Sequence, residues 1–93
     1  PEGAVVETNA YFSRDSVRPV NAGKLPTPVH NLVIRHVYNQ EAIVKAAINK
    51  DKQTAFNVFV NDPLMGVVSL KDAKVLFDEM LKNTSKYLPG WDI

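Results

Sequence analysis

Residues 40–64 read QEAIVKAAINKDKQTAFNVFVNDPL, and this stretch predicts the helical body of the chain. Its first ten residues complete a long helix, Asp51 marks the break before a second helix, and Asp62-Pro63 marks the start of a further helical segment. Aspartate caps free N–H groups at a helix start, and proline at the first helical position loses no needed hydrogen bond. Between these signals, residues 55–60 are nearly all apolar, which is typical of a helix buried within its domain or against a partner.

The residues before this stretch extend the first helix towards the N-terminus. Thr27-Pro28 combines a capping hydroxyl with an N-terminal proline, and apolar residues then recur at spacings of three and four. Ile34, Tyr38 and Ile43 widen the apolar stripe. We therefore expect one helix over about residues 28–49, contacted on more than one side.

A further helix is predicted after the restart. One turn of helix should loosen near Gly66, and Ser69 with Asp72 resembles a capping box in which aspartate replaces the commoner glutamate. Apolar residues then follow one helical face to Leu88, ahead of a Pro-Gly stop. We expect this helix to cover about residues 70–86.

Two strands are predicted at the N-terminus. Residues 4–12 are rich in Val, Thr, Tyr and Phe and alternate between two faces, and the polar residues 13–16 form a turn of hairpin length. Residues 17–21 offer a return strand, on which Pro19 predicts an edge position. The expected class is α+β, with a short N-terminal strand pair followed by three or four helices.

The composition indicates one globular segment, residues 1–93, and excludes several functions. The 93 residues are 45% hydrophobic and 23% charged, with a net charge of +1 and no cysteine. Scattered lysines provide no basic stripe for nucleic acid, and no apolar run reaches the length of a membrane span. We expect a cytoplasmic chain without disulfides. The start at Pro1 without methionine favours a segment excised from a larger protein.

The ionisable residues suggest structural roles more than chemistry. His30 and His36 lie about 120° apart on a helix, so they cannot share a metal from one face. Asp51 and the other aspartates at helix starts are explained by capping. Glu7 and Glu41 remain as acid–base candidates, although neither is paired in sequence with a second carboxylate.

Two further groups have both a functional and a structural interpretation. Arg14 and Arg18 flank the predicted turn, where they either bind an anion or are ordinary solvated side chains. The aromatic residues at helical spacings are most simply core. They are Tyr38, Phe56, Phe59, Phe77 and Tyr87. The four glycines form no phosphate-binding loop.

The order of several motifs is more specific than any one of them. The motifs are AVVETNAY, SRDSVRP, AGKLP, QEAIVKAAINKD, NDPL and LFDEMLKNTSKYLP, and they cover residues 4–89. In this order they resemble the C-terminal end of glycoside hydrolase family 4. That family comprises NAD-dependent α-galactosidases, α-glucosidases, α-galacturonidases and 6-phospho-glycosidases.

The resemblance implies a larger parent enzyme with an N-terminal Rossmann domain and a C-terminal domain like that of lactate dehydrogenase. In the implied mechanism, NAD⁺ oxidises the sugar at C3, Mn²⁺ stabilises the enolate, and a base removes the C2 proton. This mechanism differs from the two-carboxylate hydrolysis that most glycosidases use. The family's cofactor loop, metal ligands and base belong upstream. We therefore expect no catalytic, cofactor-binding or metal residue in this chain, and no activity by it alone.

The resemblance makes this chain a structural and oligomerisation segment of a glycosidase. Its motifs are closer to the α-galactosidase, α-glucosidase and α-galacturonidase branches than to the phospho-sugar ones, and the α-galactosidase or α-glucosidase type is favoured. Its expected partners are the Rossmann domain and further copies of the enzyme, and the expected substrate of the parent is a glycoside. The alternative is a free-standing, non-enzymatic helical module that dimerises through residues 56–60. A small enzyme with a site at His36 and Glu41 is a third interpretation.

Overall fold

The computed structural model describes all 93 residues, which form two short strands followed by three helices. These elements are β1 (Ala10–Phe12), β2 (Val17–Pro19), α1 (Thr27–Asn49), α2 (Lys52–Val60) and α3 (Leu70–Thr84). Short 3₁₀ segments occupy Pro63–Val67 and Ser85–Tyr87. The predicted α+β class is confirmed. Membership of a larger, dehydrogenase-like domain stays a prediction.

The strand pair is shorter than the predicted strands, residues 4–12 and 17–21. Its outermost backbone bond joins the Val20 N–H to the Asn9 carbonyl oxygen at 2.8 Å. Beyond Val20 the chain turns away, because the Asn21 Oδ1 accepts from the Gly23 N–H at 2.8 Å and Gly23 has a φ of 79°. Residues before Asn9 consequently have no strand opposite them.

Pro19 fits into β2 because of the register. β1 and β2 are antiparallel, and Ala10 lies opposite Pro19, Tyr11 opposite Arg18 and Phe12 opposite Val17. Hydrogen-bonded and non-hydrogen-bonded pairs alternate in such a ladder, and the Val20 to Asn9 bond places Tyr11 and Arg18 in a hydrogen-bonded pair. The N–H that proline lacks would therefore point away from β1. The predicted edge position of Pro19 is confirmed.

The junction of α1 and α2 is two residues long. Lys50 has a φ of 55°, its N–H donates to the Ala47 carbonyl at 3.3 Å, and the Asp51 N–H donates to the Ala46 carbonyl at 2.8 Å. This is the Schellman arrangement that ends a helix. Asp51 then caps α2, because its Oδ1 accepts from the Thr54 N–H at 3.0 Å. The predicted break is confirmed.

The predicted cap at the start of α1 is wrong. The His30 N–H donates to the Pro26 carbonyl at 2.9 Å, so helical hydrogen bonding already begins from Pro26. Thr27 is therefore the first residue inside the helix, and its hydroxyl is not at the capping position.

The start of α3 follows the prediction with one difference of geometry. The Asp72 N–H donates to the Ser69 Oγ at 3.1 Å, and the Ser69 hydroxyl donates to the Asp72 Oδ2 at 2.7 Å. In the usual capping box the acidic side chain accepts from the backbone N–H of the cap residue. At the other end α3 stops at Thr84, two residues before the predicted boundary, and continues as the 3₁₀ segment.

The chain forms two compact units, Pro1–Val37 and Tyr38–Ile93. The buried cluster lies in the second unit and combines residues of all three helices, which are Ala46, Ala55, Phe77 and Leu81. The Phe77 ring centroid lies 5.3 Å from that of Phe56 and 5.5 Å from that of Phe59. Leu88 and Trp91 pack against the same cluster from the C-terminal residues. The core prediction for the three phenylalanines is confirmed.

Other predicted core positions are exposed. Tyr38 and Tyr87 have 56% and 70% of their surface exposed, so their assignment to the core is wrong. The prediction that α1 is contacted on more than one side is also wrong for this chain by itself, since Leu32 is 74% and Ile48 75% exposed. The buried cluster is small and uses only Ala46 of α1.

Candidate functional site

An amide-lined groove of about 540 Å³ lies between the second half of α1 and α2. Its lining residues are Tyr38, Asn39, Ala42, Thr54, Asn57, Val58, Val60 and Asn61. The Asn61 amide donates from Nδ2 to the Asn39 Oδ1 at 2.8 Å, which joins the two helices. The lining contains no carboxylate, imidazole or lysine. The groove can therefore offer hydrogen bonds, but it contains no acid–base pair for catalysis.

A smaller pocket of about 320 Å³ lies in the first unit and is lined by Lys24, Leu25, Thr27 and His30. His30, one of the two histidines of the sequence, therefore lies beside Lys24. A single imidazole with a lysine is no metal site, because a bound metal needs further nitrogen, oxygen or sulfur ligands. His36 is exposed on α1 and does not line this pocket.

Glu41 forms an ordinary surface ion pair. The Lys45 Nζ donates to its Oε1 at 2.8 Å, one helical turn away, and both side chains are largely exposed. This hydrogen bond, with the lysine charge, lowers the pKa of the Glu41 carboxyl below its usual value. A general acid near neutral pH needs a raised pKa, so the third interpretation, with His36 and Glu41, gains no support.

Asp51 and Asp62 act as helix caps, as predicted. Asp51 accepts from the Thr54 hydroxyl at 2.6 Å as well as from the Thr54 N–H, and these bonds lower the pKa of its carboxyl. Asp62 accepts from the Leu64 N–H at 2.8 Å at the start of the 3₁₀ segment. These carboxylates satisfy backbone donors and are not free for chemistry.

Asp78 joins α2 to α3, a role that the sequence analysis did not include. The Lys74 Nζ donates to both of its oxygens, at 2.6 and 2.8 Å, and the Lys52 Nζ lies 3.5 Å from Oδ1. The hydrogen bond from Lys74 lowers the pKa of Asp78. The Lys74 Nζ also lies 5.4 Å from the centre of the Phe56 ring. The four-residue spacing of Lys74 and Asp78 was a readable signal of this structural cluster.

The residues of this chain do not form a site for the metal ion or the dinucleotide that the resemblance implies. No group of three or more His, Cys, Asp or Glu side chains is placed to hold a metal ion. The glycines are separated by at least 20 residues and form no dinucleotide-binding loop. The expectation that this chain has no catalytic or cofactor residue stays a prediction, since the full enzyme defines its site.

The two arginines of the hairpin are placed differently. Arg14 lies in the loop beside Asp15, and Arg18 lies in β2 directly opposite Tyr11. Both arginines were candidates from the sequence, whereas Tyr11 was not. A hairpin with a two-residue loop at 14–15 pairs residue 11 with residue 18, so the loop length was the signal.

Comparison with known proteins identifies the family. Residues 1–65 match the family described as the family 4 glycosyl hydrolase C-terminal domain. This chain belongs to that family. The resemblance noted in the sequence is therefore confirmed. None of the helices combines the length and apolar character needed to cross a membrane.

Curated relatives of this family 4 domain share one name. The chain is 61% identical over its whole length to an alpha-galacturonidase of Thermoanaerobacterium saccharolyticum. It is 51% identical over 94% of its length to an alpha-galacturonidase of Thermoanaerobacter italicus, and 45% identical over 88% of its length to one of Bacillus subtilis. The chain covers 18% to 20% of the length of these relatives. No solved structure matches it.

Proposed function

We propose that this domain is the C-terminal part of an α-galacturonidase, a family 4 hydrolase that cleaves α-galacturonides. The observation that supports the proposal most is the shared name of relatives that are 45% to 61% identical over at least 88% of the chain. The sequence motifs by themselves favour the α-galactosidase or α-glucosidase type. The names of the relatives change the proposed sugar to one that carries a carboxylate at C6.

We further propose that the chemistry depends on NAD⁺ and Mn²⁺ bound by other parts of the enzyme. The family resemblance supports this proposal, and this domain has neither a grouping of metal ligands nor a glycine-rich loop. No catalytic step is assigned to the residues of this domain. A cytoplasmic location stays a prediction.

The proposed role of this domain is to pack against the rest of the enzyme and against a second subunit. Large apolar side chains remain exposed on the strand pair and on α1 and α3. Phe56 and Phe59, which were candidates for a dimer surface, already pack on Phe77 of the same chain. Uncovered apolar surface is better represented by Leu32 and Ile48 of α1.

The test uses the purified full-length enzyme with p-nitrophenyl α-galacturonide, NAD⁺ and Mn²⁺. We expect release of nitrophenol that is lost when the metal is chelated and restored when Mn²⁺ is returned. The neutral p-nitrophenyl α-galactoside and α-glucoside are matched controls, because they share the leaving group and lack the carboxylate. Higher kcat/KM for either neutral glycoside would refute the proposed substrate.

The role of the domain is tested by the 93-residue chain alone, assayed under the same conditions. We expect no turnover, because the proposed cofactor sites belong to the rest of the enzyme. Turnover by the isolated chain would refute this division of roles. A native enzyme whose mass equals that of the 93-residue chain would instead support the free-standing interaction module.

A further inference from the structure

The two faces of the hairpin differ in chemistry. Because side chains alternate along a strand, Phe12 and Val17 project from one face with Ala10 and Pro19, whereas Tyr11 and Arg18 share the other. Directly opposed residues in an antiparallel pair have Cβ atoms about 5 Å apart. One face is therefore apolar, and the other carries a tyrosine and an arginine at directly opposed positions.

Both members of this pair are accessible. Tyr11 has 76% of its surface exposed, and Arg18 is exposed as well. Every ion pair of the chain uses a lysine, so Arg18 has no carboxylate partner, not even Glu7 of the neighbouring strand segment. Its N–H donors remain free for a ligand.

We propose that Tyr11 and Arg18 recognise the uronate group of the substrate in the full-length enzyme. This inference rests on the proposed function, which supplies the ligand: a hexuronide with a carboxylate at C6. The guanidinium group donates two parallel N–H bonds to that carboxylate, the geometry in which arginine binds carboxylates best. The sugar ring lies against the Tyr11 ring, and the phenol hydroxyl bonds to a sugar hydroxyl.

The other cationic groups of the first unit are less suited to this role. Arg14 lies in the loop next to Asp15, whose negative charge opposes an incoming carboxylate. Lys24 and His30 line a pocket without an arginine, and a lysine is a point charge that does not match both carboxylate oxygens at once. Arg35 of α1 also lacks an ion pair, but only Arg18 has an aromatic residue directly opposite it in the strand pair.

The experiment compares variants of the full-length enzyme on the galacturonide and on the neutral galactoside. We expect Arg18→Gln to lower kcat/KM for p-nitrophenyl α-galacturonide about 10- to 100-fold, mainly through KM, because a charge-assisted hydrogen bond is lost. The inhibition constant of free galacturonate should rise by a similar factor, while that of galactose should change less than about threefold. Arg18→Lys should fall between the wild type and Arg18→Gln.

Two further variants separate recognition from folding. Arg35→Gln removes an exposed arginine of α1 that also lacks an ion pair, and we expect it to leave both substrates unaffected. Tyr11→Ala should weaken galacturonate and galactose alike, because stacking does not depend on the carboxylate. The melting temperatures of all variants should stay close to that of the wild type, since each side chain is exposed in this chain.

The outcomes for this inference and for the proposed function are distinct. If the wild-type enzyme does not hydrolyse the galacturonide, the proposed function is refuted, and so is the uronate as the ligand of Tyr11 and Arg18. If the wild type is active and Arg18→Gln behaves like Arg35→Gln, the proposed function stands and the role of Arg18 is refuted. An equal loss of affinity for galacturonate and galactose in Arg18→Gln would also refute recognition of the carboxylate.

Discussion

Replacing Lys50 with glycine should stabilise the chain, because Lys50 is held in a backbone conformation that side chains disfavour. Its φ of 55° is required by the Schellman end of α1, where its N–H and that of Asp51 satisfy the last carbonyls of the helix. A residue with a Cβ atom is strained by about 1–2 kcal/mol in this left-handed region, whereas glycine has almost no strain there.

The net gain is smaller than the relieved strain. Glycine increases the conformational entropy of the unfolded chain, which costs about 0.4–1 kcal/mol. The remaining stabilisation is about 0.5–1 kcal/mol, which for a chain of this size raises the melting temperature by about 2–8 °C. The Lys50 side chain lies beside Gly90, where an added Cβ would be 3.4 Å from the Lys50 Cε.

Lys50→Ala is the matched control, since it removes the same side chain and keeps the left-handed backbone with a Cβ atom. We expect Lys50→Ala to lie within about 0.5 kcal/mol of the wild type. Urea unfolding of the 93-residue chain, followed by far-UV circular dichroism, measures both variants. If Lys50→Gly is no more stable than Lys50→Ala, strain at the helix end does not contribute to the stability of this chain.

Two other predictions concern the core and the cap of α2. Phe77→Ala should destabilise the chain by about 3–5 kcal/mol, because Phe77 is only 6% exposed and its ring contacts two other phenylalanines. Leu76, which is 42% exposed, provides the control: Leu76→Ala should destabilise the chain far less in the same urea experiment. The hydrogen bonds from Thr54 lower the pKa of the Asp51 carboxyl from its ordinary value of 3.8. The ionised carboxylate therefore contributes stability above pH 3.8, and this contribution is lost as the pH falls through the lower pKa of the folded state. Asp51→Asn keeps a hydrogen-bond acceptor but has no titrating group, so it should lose less stability in acid than the wild type. Equal loss of stability in acid by the variant and the wild type would contradict the capping role of the Asp51 carboxylate.

The helix boundaries were largely readable from sequence because capping is local. Asp51 reaches Thr54, and Ser69 reaches Asp72, each across three residues. Such contacts depend only on residues within one turn, so their residue types predict them. The error at Thr27 has the same local origin, because Pro26 offered its carbonyl one residue earlier than the expected cap.

The candidate site was only half predictable. Arg18 was recognised as a residue able to bind an anion, but its relation to Tyr11 depends on a register that the turn sets. A shift of one residue in that pairing would have placed the arginine opposite an apolar residue. The amide-lined groove was not predicted at all, because Asn39 and Asn61 are 22 residues apart and meet only when the two helices pack.

The amino-acid sequence alone predicted the caps of α2 and α3, the break at Asp51, the edge position of Pro19 and the family to which the chain belongs. These depend on neighbouring residues or on the order of motifs. Which apolar residues are buried depends on tertiary packing, which buries Phe77 and Ala46 and leaves Tyr38 and Ile48 exposed. The physical reason is that an apolar stripe shows that a face can be buried, whereas burial requires a second surface whose position depends on the packing of distant elements.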